Sequence, residues 1–515
     1  MTTITQQIDP LSTPPSRSDP TNFDERADQF LSELPTATEQ INTLASQMND
    51  VAQEMNESAA NAISAQAGAE AARDLAISAA SATVYDESVS YSFPDTVICV
   101  DGNAYRCLGD GITGVDPMTD GGDKWARLTD AGVVGYGVRW DTKNDVMVRG
   151  IYKNGVFYES TVTSFPIQEK MRRCVVQDDG TVAYYLHQDD STKKADGTDA
   201  NLSGADGQVM VEIPAFYSAV LESGDFQYFL VGEFPFEGSC IDPAFVRDGS
   251  VLATRYIGAF EGVLFDASAG EYVDGNGSSL ADTTSDKISS IPGFKPWTNQ
   301  TRAEFRELCK NGTAHLFDYY LYRAILLLFV TEYATWDSQS VLPGYTSMGS
   351  WSYSYVKQTG LTLSMGNNSG SYHDGTRYVA NTYRGIENVF GHIWKFVDGI
   401  NFDSYDIYLC DNPDNFVDDS STNYTQAIDL YGDNIVIPSG EGYQKNLWAG
   451  SLLPKSIGGS SITFITDYLY AVNSGWRVLL AGGNLSIGDQ AGLACLAFSN
   501  DSSNRYSYSG ARSAA

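Results

Sequence analysis

The chain has 515 residues and a formal charge of −33, with 42% hydrophobic residues, enough to bury at least one large core. That charge opposes nucleic acid and a bare anionic membrane as partners and leaves neutral or cationic ones open. The most apolar run, "RAILLLFV" at 323–330, is too short and too closely flanked by charge to span a bilayer.

The first thirty residues show neither a basic start nor an apolar core, so no signal peptide is expected. Residues 1–23 are rich in Pro, Ser and Thr and read as a tail. A short amphipathic helix follows at "DERADQFLSEL" and is expected to end before Pro35. From Ile41 the spacing is heptad-like: Ile41, Leu44, Met48, Val51, Met55, Ser58, Ala62, Ala65, Ala69, Ala72, Ala76 and Ala79 step by three and four. That is the seam of a coiled coil, a rod roughly 60 Å long whose second half is lined by alanine. An alanine seam permits close approach but buries little area.

Residues 84–130 read as a small β module. "YSFPDTVICVDGNAYRCL" supplies two strands about an Asp-Gly turn, and a Gly/Asp-rich loop closes on Trp125. Strands continue over 131–295, with a hairpin turning at Asp179-Gly180 and a long polar excursion over 189–207. "TRAEFRELCKNG" carries a capping box, Thr301 with Glu304, and a stop at Gly312. "LFDYYLYRAILLLFVTEYAT" is apolar on most sides and predicts a buried helix. From 340 on, Gly, Ser, Tyr and Asn dominate.

Catalytic signals are sparse. The four histidines, His187, His315, His373 and His392, show no metal-binding spacing and read as structural or surface residues. Ser191 and Lys194 spell SxxK in a polar loop without its partner motifs. Asp196, Asp199 and Asp206 could wrap calcium but lack the EF-hand pattern, so neither a metal nor a cofactor is expected. The seven cysteines (Cys99, Cys107, Cys174, Cys240, Cys309, Cys410, Cys495) form no CxxC and read as reduced packing residues.

The last forty residues resemble a display surface. "AGLACLAF" reads as a buried strand, whereas in "GGNLSIGDQ" Leu485 and Ile487 alternate with outward Asn484, Ser486, Asp489 and Gln490. "SNDSSN", which includes Asn500, Ser503 and Asn504, is a turn cluster leading to Tyr506 and Tyr508 on one face of a strand. Rigid Tyr among adaptable Ser and Asn gives contact area at low entropy cost.

Four pieces together resemble tailed-bacteriophage tail fibres. They are the "PPSRSDPTNFDERADQFLSELP" start, the Ala-rich coiled coil, the small module and the body. The module is similar to carbohydrate-binding-type modules, with Tyr105 and Trp125 at the aromatic positions as candidate sugar contacts. The body, including "GIENVFGHIWKFVDGINF", looks like phage tail proteins of the C-type-lectin fold shared with formylglycine-generating enzymes. Gly391, Trp394, Asp398 and Gly399 fit that fold's GxxWxxxDG pattern. The resemblance implies a multidomain chain: an N-terminal α-helical trimeric coiled coil, a small all-β module and an α+β C-type-lectin-like domain. Its expected divisions are a virion-attachment segment over 1–35, a stalk over 36–83, the module over 84–130 and a head over 131–515.

The resemblance further implies a virion tail fibre: a homotrimer held to the tail tip or baseplate by its N-terminus. Its head would bind a host receptor, glycan or outer-membrane protein, through about 476–515, with Trp476 joining the polar residues above. The enzyme relatives use a paired-cysteine copper site. Here Cys410 and Cys495 are the only cysteines near the end, and neither has a close partner in sequence, so a non-enzymatic chain is expected. A fibre that degrades surface polysaccharide, or one that only carries another adhesin, are the alternatives.

Overall fold

A computed structural model describes residues 9, 11–14, 16, 18, 22–48, 83–92, 95–99, 104–109, 111–120, 124–127, 135–153, 155–162, 164–312, 314–472 and 474–515. The described chain is mostly β, with three α-helices of ten residues or more and two single-turn helices, Pro166–Glu169 and Ser338–Val341.

The N-terminal helix occupies 23–48 without a break. The expected stop before Pro35 is therefore corrected. Proline forfeits one backbone bond, but Pro35 lies on the exposed side of the helix. The preceding segment is not a free tail where it is described. Asp9 N–H donates to Gln40 Oε1 (3.0 Å), Gln40 Nε2 donates back to Asp9 Oδ2 (2.7 Å), and Ser12 N–H donates to Glu33 Oε2 (2.7 Å). On the helix, Ile41 and Met48 are 51% and 54% exposed and Leu44 is half-buried. The remainder of the proposed seam, Val51 to Ala79, lies outside the described residues.

The small module is a four-stranded sheet in the order Thr83–Val84, Thr96–Ile98, Ala104–Cys107, Trp125–Arg127. Its centre is aromatic. Tyr105 is 6% and Trp125 1% exposed, and Tyr85 and Tyr91 pack edge-on to the indole at 5.9 and 5.2 Å. The structure thus places both candidate sugar contacts in the module core, because three strands and the Tyr85–Tyr91 stack close over them.

The body is built from three larger sheets. One six-stranded antiparallel sheet runs Cys240–Ile241, Tyr217–Ser223, Phe226–Gly232, Gly135–Asp141, Val146–Lys153, Val156–Glu159. A second runs His315–Leu316, Ser513–Ala514, Thr254–Gly258, Gln208–Pro214, Arg172–Val176, Val182–Tyr185. The last two strands are the hairpin expected at Asp179-Gly180. The third sheet centres on Trp394–Asp403, with Asp406–Leu409 on one side and Trp476–Ala481, Leu496–Asn500, Tyr468–Ala471, Gly442–Trp448 and Leu453–Ile457 on the other.

The apolar helix Tyr319–Tyr333 is buried along nearly its whole length, with Asp318 as its N-cap, and packs on strands of the first and third sheets. The helix Arg302–Asn311 carries the expected capping box and the Gly312 cap. Its Phe305, Leu308 and Cys309 cover the third sheet's face of Trp394, Phe396, Val478, Leu480, Cys495 and Ala497. Six cysteines are buried, whereas Cys240 is exposed on a sheet edge, which corrects its assignment as a packing residue.

Buried charges fix these layers. Asp398 accepts from Arg306 Nε (2.6 Å) and Nη2 (3.0 Å), and Asp418 accepts from Arg302 Nε (2.8 Å) and Arg306 Nη2 (2.6 Å). Arg302 Nη1 also donates to the carbonyls of Val397 (3.1 Å) and Ile400 (2.7 Å). The GxxWxxxDG pattern acquires a physical meaning here. Gly391 (φ +74°) and Gly399 (φ +68°) hold left-handed turns where a Cβ would meet the Tyr345 and Cys410 carbonyls at 2.9 Å each. Trp394 fills the covered face, and Asp398 neutralises the arginines. Arg512 closes the chain into the core by donating to the carbonyls of Gly258 (2.6 Å) and Glu387 (2.5 Å).

Candidate functional site

The residues singled out at the C-terminal end fall at two ends of the strand Trp476–Ala481, about 17 Å apart at ~3.4 Å per residue. At one end stand Trp476, half-buried and tilted on Tyr408 at 5.7 Å, and the turn 501–504 with exposed Ser503 and half-buried Asn504. At the other end lie the loop 484–490 and the Tyr506–Tyr508 pair, since Ala481 opposes Lys395 and Ser509 opposes Trp394. The single patch expected from the sequence is thus divided.

Two of the ten residues do not reach the surface. Asn484 is 4% exposed; its Oδ1 accepts from Ser486 N and Ser486 Oγ, both at 2.9 Å, and shapes the loop. Asn500 is buried in the ladder opposite Val478. Ser486 and Gln490 are half-buried, and Asp489 is exposed. The alternation expected over 484–490 is replaced by a turn and a short 3-10 helix, Gly488–Gln490.

Tyr506 and Tyr508 are half-buried and share one side, but through a loop rather than a strand. Their rings stack at 4.6 Å and 10°. Trp351, on a loop far away in sequence, meets Tyr508 edge-on at 5.8 Å, and its Nε1 donates to Ser507 Oγ (2.9 Å). The turn before them is tied down by Arg505, whose Nε donates to Glu304 Oε2 (2.9 Å). Glu304 therefore serves the helix cap and the loop together.

At the same end a second aromatic row crosses the sheet. Trp394, Tyr470, Tyr468 and Tyr443 follow one another with ring separations of 5.9, 4.7 and 5.3 Å. Trp394 is buried under the helix Arg302–Asn311, and the three tyrosines continue beyond it half-exposed. Tyr470 Oη donates to Gln490 Oε1 (2.5 Å). Burial, and after it the nearby Asp489 carboxylate, push the Tyr443 phenol up to about 12.

Trp351, Tyr443, Tyr468 and Tyr470 were not among the residues singled out from the sequence. The signals were present: "WSYSY" at 351–355 has the composition of the terminal loops, and Tyr468 and Tyr470 alternate as one strand face.

The other candidate groups have separate tasks. Ser191 is buried and accepts from Arg173 Nη1 (3.1 Å), while the Lys194 ammonium lies over the Tyr184 ring at 4.3 Å, so SxxK is no catalytic pair. Asp196 caps Thr198, Asp199 pairs with Lys193, and Asp206 accepts from Tyr184 Oη (3.0 Å). Cys410 and Cys495 lie in different packing clusters. His392 is buried against Glu261, whose other oxygen meets Lys395 Nζ at 3.0 Å. His315 is packed beside Arg255 and Asp318.

No protein-family model and no curated protein matches the chain. Among solved structures it is similar to "Major Tropism Determinant I1 Variant", at 14% identity over 83% of this chain and 96% of that one, with a TM-score of 0.25. It is also similar to "Major Tropism Determinant P3c Variant", at 13% identity over 83% and 96%, with a TM-score of 0.24.

Proposed function

We propose that the chain is a receptor-binding protein of a bacteriophage tail fibre, with a C-type-lectin-like head that contacts the host surface. In this reading the N-terminal region docks on the tail tip or baseplate, and the Ala-rich segment joins three copies. Weak sites held in threes rebind at high local concentration. The host-contacting surface is the end of the head that carries Ser486, Asp489, Gln490, Trp351, Tyr506 and Tyr508.

One observation carries the reading. Half-exposed tyrosines and short polar side chains stand on loops anchored by the buried Leu485 side chain and by the surface Arg505–Glu304 ion pair. Such a surface is pre-organised for binding. The buried carboxylates Asp398, Asp318 and Glu261 are each held by cations, so the reading gives them structural work and gives the chain no catalytic step.

The test is competition. Purified chain is expected to bind host cells and block adsorption of the phage, and the double variant Tyr506→Ala, Tyr508→Ala is expected to lose most of that block while keeping its fold. Unchanged blocking by the folded variant would remove this surface from the account. Release of reducing ends from host polysaccharide would replace the reading with an enzymatic one.

A further inference from the structure

The tyrosine row invites a more specific assignment. Tyr443 and Tyr468 are cross-strand partners whose rings meet at 85°, two walls of a corner, and Tyr470 extends the second wall at 50°. Ring faces carry the negative part of the aromatic quadrupole and attract cations, best where several rings converge. Asp489, an exposed carboxylate, adjoins Gln490, whose Oε1 accepts from Tyr470 Oη (2.5 Å), and exposed Glu441 lies two residues before Tyr443. The Tyr470 tip is fixed by the protein itself on Gln490 Oε1, so that ring holds its place before any ligand arrives.

The neighbouring lysines are engaged elsewhere. Lys445 sits over the Phe464 ring at 5.1 Å and Lys455 over Trp448 at 4.4 Å. Lys395 is buried and donates to the Gly391 carbonyl at 2.6 Å. The corner thus combines ring faces, a carboxylate and a chain of charge −33, and that combination suits a positive ligand. A neutral ring stacked there would desolvate the Asp489 charge without pairing it, whereas an ammonium group meets both the rings and the carboxylate.

We propose that Tyr443, Tyr468, Tyr470 and Asp489 form a binding site for an ammonium cation, either a choline-type quaternary ammonium or the primary ammonium of an amino sugar, carried on a host-surface molecule. The biological source rests on the host-binding reading above; the chemistry does not.

The experiment uses the purified full chain and calorimetric titration with choline chloride, with glucosamine hydrochloride and with the uncharged carbon isostere of choline. At least one cation is expected to bind saturably, and the isostere about tenfold or more weakly than choline if choline is the one that binds. Which cation binds distinguishes the two sources. Tyr468→Ala is expected to abolish binding, Tyr468→Phe to retain it, and Asp489→Asn to weaken it about fivefold, the worth of one exposed ion pair. Circular dichroism of each variant checks the fold. No saturable binding of either cation, or equal binding of choline and its isostere, would overturn the site. Host-cell adhesion is scored separately: adhesion without cation binding rejects only this ligand class, and cation binding without adhesion rejects only the host-binding reading.

Discussion

At the middle of the strand Trp394–Asp403, Asp398 holds Arg306 in the interior, with Arg302 and Asp418 completing the cluster. Beyond one end of the same strand, neutral tyrosines stand half in solvent. The usual distribution, charges outside and rings inside, is partly inverted. The difference follows from what each region must do. Buried ions are costly unless every one is paired in a fixed geometry, so the centre tolerates little change. The rim has no such constraint, because a half-exposed Tyr or Ser can be replaced without leaving a charge stranded. The body is therefore stiff where its layers join and open to substitution at the rim.

The largest expected effect comes from breaking the centre. Asp398→Ala leaves the Arg306 guanidinium with only Asp418 and strands part of its charge inside. It is expected to destabilise the protein by roughly 3–5 kcal/mol, measured as a shift of the urea midpoint. A loss below about 1 kcal/mol, the range of exposed ion pairs, would mean that the cluster is hydrated and the contrast with the rim is false.

A second cluster adds a pH dependence. Burial alone would raise the Glu261 carboxyl, but the His392 and Lys395 charges outweigh it and hold the group down at about 2. Its folded value lies below the ordinary carboxylate value of 4.5, so its stabilisation is complete above that pH and is lost as pH falls toward 2. Acid titration of stability is expected to show this loss, on the order of 3 kcal/mol. Glu261→Gln, already destabilised at neutral pH, is expected to show a flatter acid limb. An identical acid limb in the variant would move the acid sensitivity to other carboxylates.

How far these regions could be read in advance follows the same division. Local signals were legible. The Thr301–Glu304 box and Gly312 delimit one helix, the apolar run delimits the buried one, and Asp179-Gly180 marks its hairpin. Arg302 and Arg306, one helical turn apart, give no hint in sequence that they meet Asp398 and Asp418 about a hundred residues later. Burial was the other gap. Asn484 and Asn500 have the composition of surface loops, but one is enclosed by its own turn and the other by a ladder. Trp125 has the composition of a sugar contact and is enclosed by Tyr85 and Tyr91. The rim was legible only in part, because Trp351 and Tyr443 reach Tyr508 and Asp489 through folding and not through neighbourhood.

The smallest effect on stability, and the sharpest on the contrast, belongs to the rim. Ser503 is exposed and Tyr506 half-exposed, and neither side chain stands on a buried charge. Ser503→Ala is expected to change stability by no more than about 0.5 kcal/mol. Tyr506→Ala loses the stack on Tyr508 and is expected to cost about 1 kcal/mol. Denaturation midpoints of both variants, set beside that of Asp398→Ala, put the two regions on one scale. If Tyr506→Ala approached the loss of Asp398→Ala, the stacked pair would be part of the core, and the contrast between centre and rim would fail.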